Sequence, residues 1–241
     1  MDKYFVKTPY LPKGKITLYV GDIALPAAQC IRPFYDTRLP VSLSRHADLT
    51  FCYLGEDTAV CAKEAFSYYE SAFSETGLKL IEGSSFLDMH YPKDSAYNVA
   101  IVGNKIFCKT KITDRVLLNT AEELGYKIVD INQGYAKCSV CPVNENAAIS
   151  ADPSFLKAAE KEGIDCLKVT NDTITLPGYD TGFFGGSAFM KDEKTLAVNG
   201  TLSLHPDEKR IKDFLSGSNI SVLSLNSLAV ADFGSLIAIL E

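Results

Sequence analysis

The chain has 241 residues, a formal net charge of -6 at pH 7 and 46% hydrophobic residues, which is enough apolar material for a substantial buried core. It contains no apolar stretch long enough to cross a bilayer, and no cluster of lysine and arginine of the kind that binds nucleic acid. The composition therefore predicts a globular protein that binds neither a membrane nor nucleic acid.

The cysteines and the amino-terminal residues bear on the compartment. The seven cysteines are an odd number and lie mostly in apolar runs, whereas disulfide frameworks use an even number. Residues 1–15 lack the apolar core of a secretion signal. We therefore expect a cytoplasmic protein with reduced thiols.

The first predicted element is a strand hairpin over residues 15–26. After it, a unit of two strands, a helix and a third strand occurs four times. Each unit places a turn rich in Gly, Asn and Asp before a short apolar run of the length expected for a buried strand. These runs are Ala59-Val60, Ile106-Phe107, Ala148-Ile149 and Leu196 to Val198.

Each apolar run is followed by a predicted helix and then by another apolar strand. In the third unit, Asp152 and Pro153 favour a helix start, because the aspartate caps free amides and proline needs no amide partner in the first turn. A glycine follows each predicted helix, where a left-handed backbone closes the helix without a Cβ clash. These glycines are Gly77, Gly125, Gly163 and Gly217.

The two ends of the chain remain after the four units are assigned. Residues 15–26 and the apolar strand of residues 235–241 are sufficient for a fifth unit shared between the termini. A closed ring removes exposed sheet edges, which favour aggregation, and no linker interrupts the pattern. The sequence therefore predicts a single α/β domain over residues 1–241. Its architecture would be a five-fold pseudo-symmetric ring of strand-strand-helix-strand units, an α/β-propeller whose fifth unit is closed by both termini.

Two stretches carry a resemblance to a known family. Residues 38–60 place a carboxylate before a strand, a turn and a strand, and residues 97–119 form the corresponding part of the next unit around a glycine turn. With the order of the repeated elements, they resemble the pentein fold of the guanidino-group modifying enzymes. That family includes arginine deiminases, amidinotransferases and dimethylarginine dimethylaminohydrolases, and the resemblance covers nearly the whole chain.

The resemblance implies a nucleophile that this chain does not offer. In the family, a cysteine near the carboxy terminus attacks the guanidinium carbon, a histidine moves protons and carboxylates bind the planar cation. Here no cysteine follows Cys166, and the matching stretch contains Asp232 and Ser235. The expected thiolate is therefore missing.

Two further positions of the implied site also differ. Tyr135 stands where the resemblance implies the histidine, and tyrosine is a poor proton shuttle at neutral pH. Asp48 falls where a carboxylate is implied, but Asn98 stands in place of another, and an amide does not neutralise a cation. We therefore expect ordinary guanidino chemistry to be lost.

The first functional hypothesis is a non-catalytic module that binds a small molecule or a partner. The ligand would lie in an axial pocket lined by Asp48, His46, Asn98, Tyr135, Asp180 and Asp232. We expect no metal and no cofactor. The sequence leaves open the ligand, the protein partners and the oligomeric state.

The alternative hypothesis is a hydrolase or transferase that acts on a guanidino-type or related cationic substrate. Cys138 or Cys141 would be the nucleophile, with His46 or His205 as the base and Asp48 as the cation anchor. A cysteine sulfur within about 4 Å of a histidine nitrogen in the axial pocket would favour this hypothesis.

Each of these candidates also has a structural interpretation. Residues 137–143 are typical of a strand with two partly buried thiols, and a zinc site needs about four ligands where this segment offers two. His46 suits a loop held by local hydrogen bonds, and His205 suits a structural helix start. The glycine run of residues 182–186 precedes a predicted strand, so we interpret it as a tight turn near the ring axis rather than as a phosphate cradle.

Overall fold

The computed structural model describes residues 4–241, so the first three residues of the predicted domain lie outside the described part. Among the described residues, no helix is both long enough and apolar enough to cross a membrane. The strands are β1 (Leu18–Val20), β2 (Gln29–Ile31), β3 (Phe51–Gly55), β4 (Thr58–Cys61), β5 (Lys79–Glu82), β6 (Ala100–Val102), β7 (Lys105–Cys108), β8 (Lys127–Asp130), β9 (Val140–Asn144), β10 (Ala147–Ser150), β11 (Asp165–Lys168), β12 (Ala188–Asp192), β13 (Thr195–Val198), β14 (Ser221–Ser224) and β15 (Ile237–Leu240). The helices are α1 (Ala47–Thr50), α2 (Phe66–Phe73), α3 (Arg115–Glu123), α4 (Ala136–Ser139), α5 (Pro153–Lys161), α6 (Phe184–Ser187) and α7 (Glu208–Gly217).

Within residues 4–241 the strands form five three-stranded sheets. Their strand orders are β3-β4-β5, β6-β7-β8, β9-β10-β11, β12-β13-β14 and β15-β1-β2. In each sheet the first two strands are antiparallel and the third is parallel to the middle one, as in the pairing of Thr58 with Lys79. The predicted order of strand, strand, helix and strand is confirmed for the four internal units, while the arrangement of the five sheets as a ring remains a prediction.

The amino-terminal segment differs from the predicted hairpin. Strands β1 and β2 are parallel, with Leu18 beside Gln29, and β15 pairs antiparallel with β1. A tight hairpin turn can join only antiparallel strands, so the chain makes a longer connection through residues 21–28. The antiparallel partner of β1 is therefore β15, from the carboxy terminus, rather than a second amino-terminal strand.

The helix ends follow the sequence signals with one exception. Asp152 accepts a hydrogen bond from the amide of Phe155 at the start of α5, as a capping residue does. Gly77, Gly125 and Gly163 have φ between 72° and 84°, as predicted. Gly217 lies inside α7 instead, and the left-handed position belongs to Asn219 (φ 57°), because asparagine tolerates this conformation better than most residues.

Asp114 connects the start of α3 to the loop that follows β5 through hydrogen bonds. Its Oδ1 accepts from the amide of Leu117 at the start of α3, and its Oδ2 accepts from the amides of Ser84 and Ser85. Burial raises the pKa of Asp114, but these hydrogen bonds outweigh burial and lower it below its usual value. Asp114 therefore stabilises the fold as a carboxylate.

Burial distinguishes the inner strands from the outer ones. The first two strands of the sheets are largely buried, whereas the third strands β5, β8, β11 and β14 are exposed at both ends. We call the segments immediately before the first strands the lead-in segments. Three of them are the one-turn helices α1, α4 and α6, which precede β3, β9 and β12 and are wholly buried.

Two of these one-turn helices lie where the sequence predicted a strand or a turn. Residues 137–143 were predicted as one strand, but Cys138 lies in α4 and the strand begins at Val140. The predicted turn at residues 182–186 contains the start of α6. A Cβ on Gly185 would lie 2.4 Å from the carbonyl oxygen of Val140, so this glycine allows α6 to pack directly against the backbone of the preceding unit.

Candidate functional site

Three lead-in segments bring Asp48, Asn98 and Cys138 together in the interior of the protein. Asp48 lies in α1, Cys138 lies in α4, and Asn98 lies two residues before β6. The thiol of Cys138 donates to Asp48 Oδ2 at 3.1 Å, and Asn98 Nδ2 lies 3.1 Å from the sulfur of Cys138. Asn98 Nδ2 also donates to the carbonyl oxygen of Asp48, at 3.1 Å. Asn98 therefore fixes the spacing between the carboxylate and the thiol.

Lys137 places a positive charge beside this group. Its side chain is 2% exposed, and its ammonium donates to the carbonyl oxygen of Gly185 at 3.1 Å and to Ser235 Oγ at 3.0 Å. The ammonium also lies 4.8 Å from the centre of the Tyr10 ring, within cation–π distance. All of these partners are neutral, so the charge of Lys137 is not matched by a contacting carboxylate.

His46 and Asp232 complete the polar centre. His46 Nδ1 lies 4.0 Å from Asp232 Oδ1, which is too far for a hydrogen bond, and this nitrogen has no hydrogen-bond partner among the described residues. Asp232 accepts from the amides of Phe183 at 2.9 Å and Gly234 at 3.0 Å. Gly234 has φ 76°, and a Cβ there would lie 2.5 Å from His46 Cα, so only glycine allows this approach.

We call His46, Asp48, Asn98, Cys138 and Asp232 the axial cluster, after the axial pocket that the sequence predicts. Each of its side chains is at most 7% exposed. Donor atoms of His46, Asp48 and Cys138 all lie within 4.8 Å of one another. The cluster therefore offers nitrogen, oxygen and sulfur donors to one small buried volume, and these three residues could hold a metal ion.

The electrostatics of the cluster disfavour negative charge. Burial raises the pKa of Asp48 to about 6, while His46 and Lys137 oppose this shift. Asp48 Oδ1 is buried without a hydrogen-bond partner among the described residues. Burial also raises the pKa of the Cys138 thiol, and Asp48 and Asp232 raise it further. Cys138 is therefore a protonated thiol at neutral pH.

A small apolar group adjoins the cluster along the chain. Leu39, Leu43, Leu49 and Leu176 are each at most 7% exposed and pack together, with Tyr135 against them. Leu49 follows Asp48 in α1, and Tyr135 is the residue before α4. Apolar packing therefore continues directly from the segments that carry Asp48 and Cys138.

The remaining predicted ligand-binding residues lie outside the cluster. Tyr135 donates to Asp94 Oδ2 at 2.5 Å, and its ring packs near Tyr91 and Phe183. Asp180 is exposed in the loop before α6. The structure thus brings together four of the six predicted residues, namely His46, Asp48, Asn98 and Asp232.

Two of the weaker catalytic candidates also lie elsewhere. Cys141 is in β9 opposite Ile149, and burial raises the pKa of its thiol to about 12. His205 uses both ring nitrogens locally. Its Nε2 lies 3.2 Å from the carbonyl oxygen of Thr170, and its Nδ1 accepts from the amide of Asp207 at 3.1 Å. Cys138 and His46 are the candidates that share one site.

The sequence prediction missed Lys137 and Asp94. Lys137 is flanked by Ala136 and Cys138 in an apolar segment, and a charged residue in such a segment is a signal of a buried, functional or paired group. Asp94 is 3% exposed with an unpartnered Oδ1, but it comes from the polar stretch of residues 88–95, where nothing in the sequence marks it.

Comparison with solved structures shows the fold. An amidinotransferase from Microseira wollei in the saxitoxin biosynthetic pathway is 14% identical, with 82% of this chain and 71% of that chain covered and a TM-score of 0.51. Inosamine-phosphate amidinotransferase from Streptomyces griseus is 11% identical over 88% of this chain and 75% of that one, with a TM-score of 0.53. DDAH from Pseudomonas aeruginosa, in complex with citrulline, is 10% identical over 89% of this chain and 93% of that one, also with a TM-score of 0.53.

These structures confirm the resemblance to the pentein fold. At such low identity they show the fold alone. No curated protein sequence matches the chain. A family model described as "Family of unknown function (DUF6873)" matches residues 24–237, and the chain therefore belongs to that family.

Proposed function

We propose that this protein is a binding module for a small cationic ligand and that it does not perform guanidino-group chemistry. In this proposal the five sheets form a ring closed by the shared sheet of both termini, and the ligand site lies on its axis. The ligand contacts would come from His46, Asp48, Asn98 and Asp232, whereas Tyr135 and Asp180, which the sequence also predicted, lie outside this group. The observation that carries the proposal is the buried Asp48 Oδ1, which has no hydrogen-bond partner among the described residues.

A buried, unpartnered carboxylate oxygen costs free energy, and a positively charged ligand would offset that cost. Asp48 lies close enough to His46 and Lys137 for both charges to lower its pKa, yet burial still raises the pKa above its usual value. Asp232 adds a second carboxylate near His46. The cluster is therefore suited to a cation that contacts Asp48 directly.

The protonation state of the Cys138 thiol supports a binding function over a catalytic one. A thiol attacks as its thiolate, and catalytic cysteines have a pKa lowered by a nearby positive charge. Cys138 instead donates to Asp48, and burial with the two carboxylates raises its pKa. Cys138 and His46 share one site, with donor atoms within 4.8 Å, but a hydrolase or transferase that used this thiol would first have to remove its proton against these charges, so the alternative is not better supported.

The proposal is tested by thermal denaturation of chelator-treated protein with arginine, agmatine, methylated arginine and simple alkylamines, followed by a turnover assay on each compound that binds. A ligand at 100 times its dissociation constant should stabilise the protein by about 2.7 kcal/mol. We expect a stabilising cation that is not turned over. Asp48→Asn should abolish the shift, while Asp165→Asn, at an exposed position in β11, should keep it.

Two results would overturn the proposal. One is turnover of a guanidino compound that is lost in Cys138→Ala, which would establish catalysis at this site. The other is a ligand shift that Asp48→Asn leaves unchanged, which would place the cation elsewhere.

A further inference from the structure

We propose that the cation is a divalent transition-metal ion of the zinc class, held by a ring nitrogen of His46, the carboxylate of Asp48 and the sulfur of Cys138. This inference rests on the proposed function in one respect, that the axial cluster binds a cation. It adds the chemical class of that cation, and it departs from the expectation from the sequence that the protein has no metal site.

The geometry of the three donors fits one ion. Zinc bonds to nitrogen and oxygen are about 2.0 Å long and to sulfur about 2.3 Å, so tetrahedral ligands are separated by about 3.3 to 3.8 Å. The three donor atoms lie within 4.8 Å of one another, and Cys138 Sγ is 3.1 Å from Asp48 Oδ2. These separations differ from the tetrahedral values by at most about 1.5 Å, and three protein ligands leave the fourth tetrahedral position for a water molecule.

Two orphaned atoms point independently to a bound cation. His46 and Asp48 are only 4% and 1% exposed, and His46 Nδ1 and Asp48 Oδ1 have no hydrogen-bond partner among residues 4–241. Buried polar groups are nearly always paired in folded proteins. These two atoms sit on ligand residues of the same cluster, so a single ion bound by His46 Nδ1 and Asp48 Oδ1 would satisfy both.

The contacts around the donors suit a metal thiolate. Binding of the ion breaks the S–H bond of Cys138 and forms a metal–sulfur bond, and the proton is released to solvent. Asn98 Nδ2, 3.1 Å from the sulfur, is then placed to donate to the thiolate. Such outer contacts orient metal ligands, and their loss typically weakens binding about 10- to 100-fold. The charges of Asp48 and the thiolate balance the two charges of the ion.

The donor types select the metal. A sulfur and an imidazole nitrogen favour zinc and cobalt over magnesium and calcium, which prefer oxygen ligands.

Cobalt titration of the chelator-treated full chain tests this inference, because Co²⁺ reports its ligands by absorption. We expect one Co²⁺ per chain, a sulfur-to-cobalt charge-transfer band in the near ultraviolet, visible bands of tetrahedral cobalt, and loss of all of these when Zn²⁺ is added. Proton release should accompany binding. Cys138→Ala should remove the charge-transfer band, and Asn98→Ala should weaken binding by roughly tenfold or more while retaining the band. Cys166→Ala, at a half-buried thiol in β11, serves as the matched control and should bind like the parent.

The outcomes separate this inference from the proposed function. Absence of cobalt binding, together with an organic cation whose shift depends on Asp48, overturns the metal site and leaves the binding module intact. Absence of both overturns both. A full charge-transfer band in Cys138→Ala overturns the assigned ligand even if cobalt binds. Circular dichroism of each variant distinguishes lost binding from lost folding, and Cys138→Ser provides a closer replacement if the alanine variant is unfolded.

Discussion

Replacement of Asp48 by asparagine is expected to stabilise the chelator-treated protein at pH 7, although it removes a residue of the proposed site. Burial raises the pKa of Asp48 from 3.8 to about 6. A difference of about two pKa units between the folded and unfolded states corresponds to about 3 kcal/mol when the group is ionised in both states. The free energy of unfolding of the parent is therefore lower by about this amount at pH 7 than it would be with a neutral side chain.

The net gain is smaller than the electrostatic cost that is removed. An asparagine amide group at the position of Oδ1 would have no partner, which costs about 1 kcal/mol. We expect Asp48→Asn to raise the free energy of unfolding by about 2 kcal/mol, or the melting temperature by about 4 to 8 °C for a chain of this size. A matched Asp165→Asn variant should stay within about 0.5 kcal/mol of the parent.

The pH dependence gives the sharper test. Because the pKa of Asp48 is raised in the folded state, the folded protein holds more protons than the unfolded chain between about pH 4 and 6, and parent stability falls as pH rises through this window. The groups around Asp48 are His46, Lys137, Cys138 and Asp232. Urea denaturation of parent and variant from pH 4 to 8 should show their difference growing by about 3 kcal/mol. A pH-independent difference, with Asp48→Asn less stable at pH 7, would refute the reasoning.

Three further predictions concern the fold and the thiols. Asp114→Ala should lower the free energy of unfolding by about 3 kcal/mol at pH 7, because a helix cap and charge-assisted hydrogen bonds are lost. Its pKa is lowered in the fold, so urea denaturation should show that this deficit shrinks as the pH falls below about 4, and a pH-independent deficit would contradict the prediction. Gly185→Ala should destabilise by about 2 kcal/mol or more, since its Cβ would meet the backbone of Val140, whereas Gly217→Ala, with open space in α7, should be neutral or stabilising in thermal denaturation. A thiol reagent should modify exposed Cys30 quickly and the buried thiols only on unfolding, and Cys30→Ser should abolish the fast phase. A fast phase that persists in Cys30→Ser would show that a second thiol, half-buried Cys166 or a buried one, also reacts in the folded protein.

Much of the fold was predictable because local signals and the tertiary structure agree. The strands β4, β7, β10 and β13 were predicted from short apolar runs, and the cap at Asp152 was predicted from its residue type and the following proline. These signals repeat in each unit, so an uncertain boundary in one copy is corrected by the others. The repeat also supplied the register that placed Asp48 and Asn98 near each other.

The mispredicted elements depended on contacts that are distant in sequence. The parallel pairing of β1 with β2 depends on β15, which lies more than 200 residues along the chain and occupies the other edge of β1. A one-turn helix such as α4 is too short for a helical period to be recognised, so Cys138 was predicted in a strand. Gly217 was mispredicted because Asn219 supplies the left-handed residue.

The sequence predicted six residues for one pocket, and the structure places His46, Asp48, Asn98 and Asp232 together but Tyr135 and Asp180 apart from them. The alternative hypothesis placed Cys138 and Asp48 in one site, but their hydrogen bond was not predicted, because the segment of Cys138 is typical of a strand. Such a contact between two units depends on how the lead-in segments pack, which no single unit reveals.

The most direct test of the account is calorimetric titration of the chelator-treated parent and of Asp48→Asn with the cation that stabilises the parent most. The account predicts one binding site per chain in the parent and at least a roughly hundredfold weaker site in the variant, because a carboxylate that contacts the cation directly is replaced by a neutral amide. Equal affinity in the two proteins would contradict the central claim that Asp48 anchors a cation in the axial cluster.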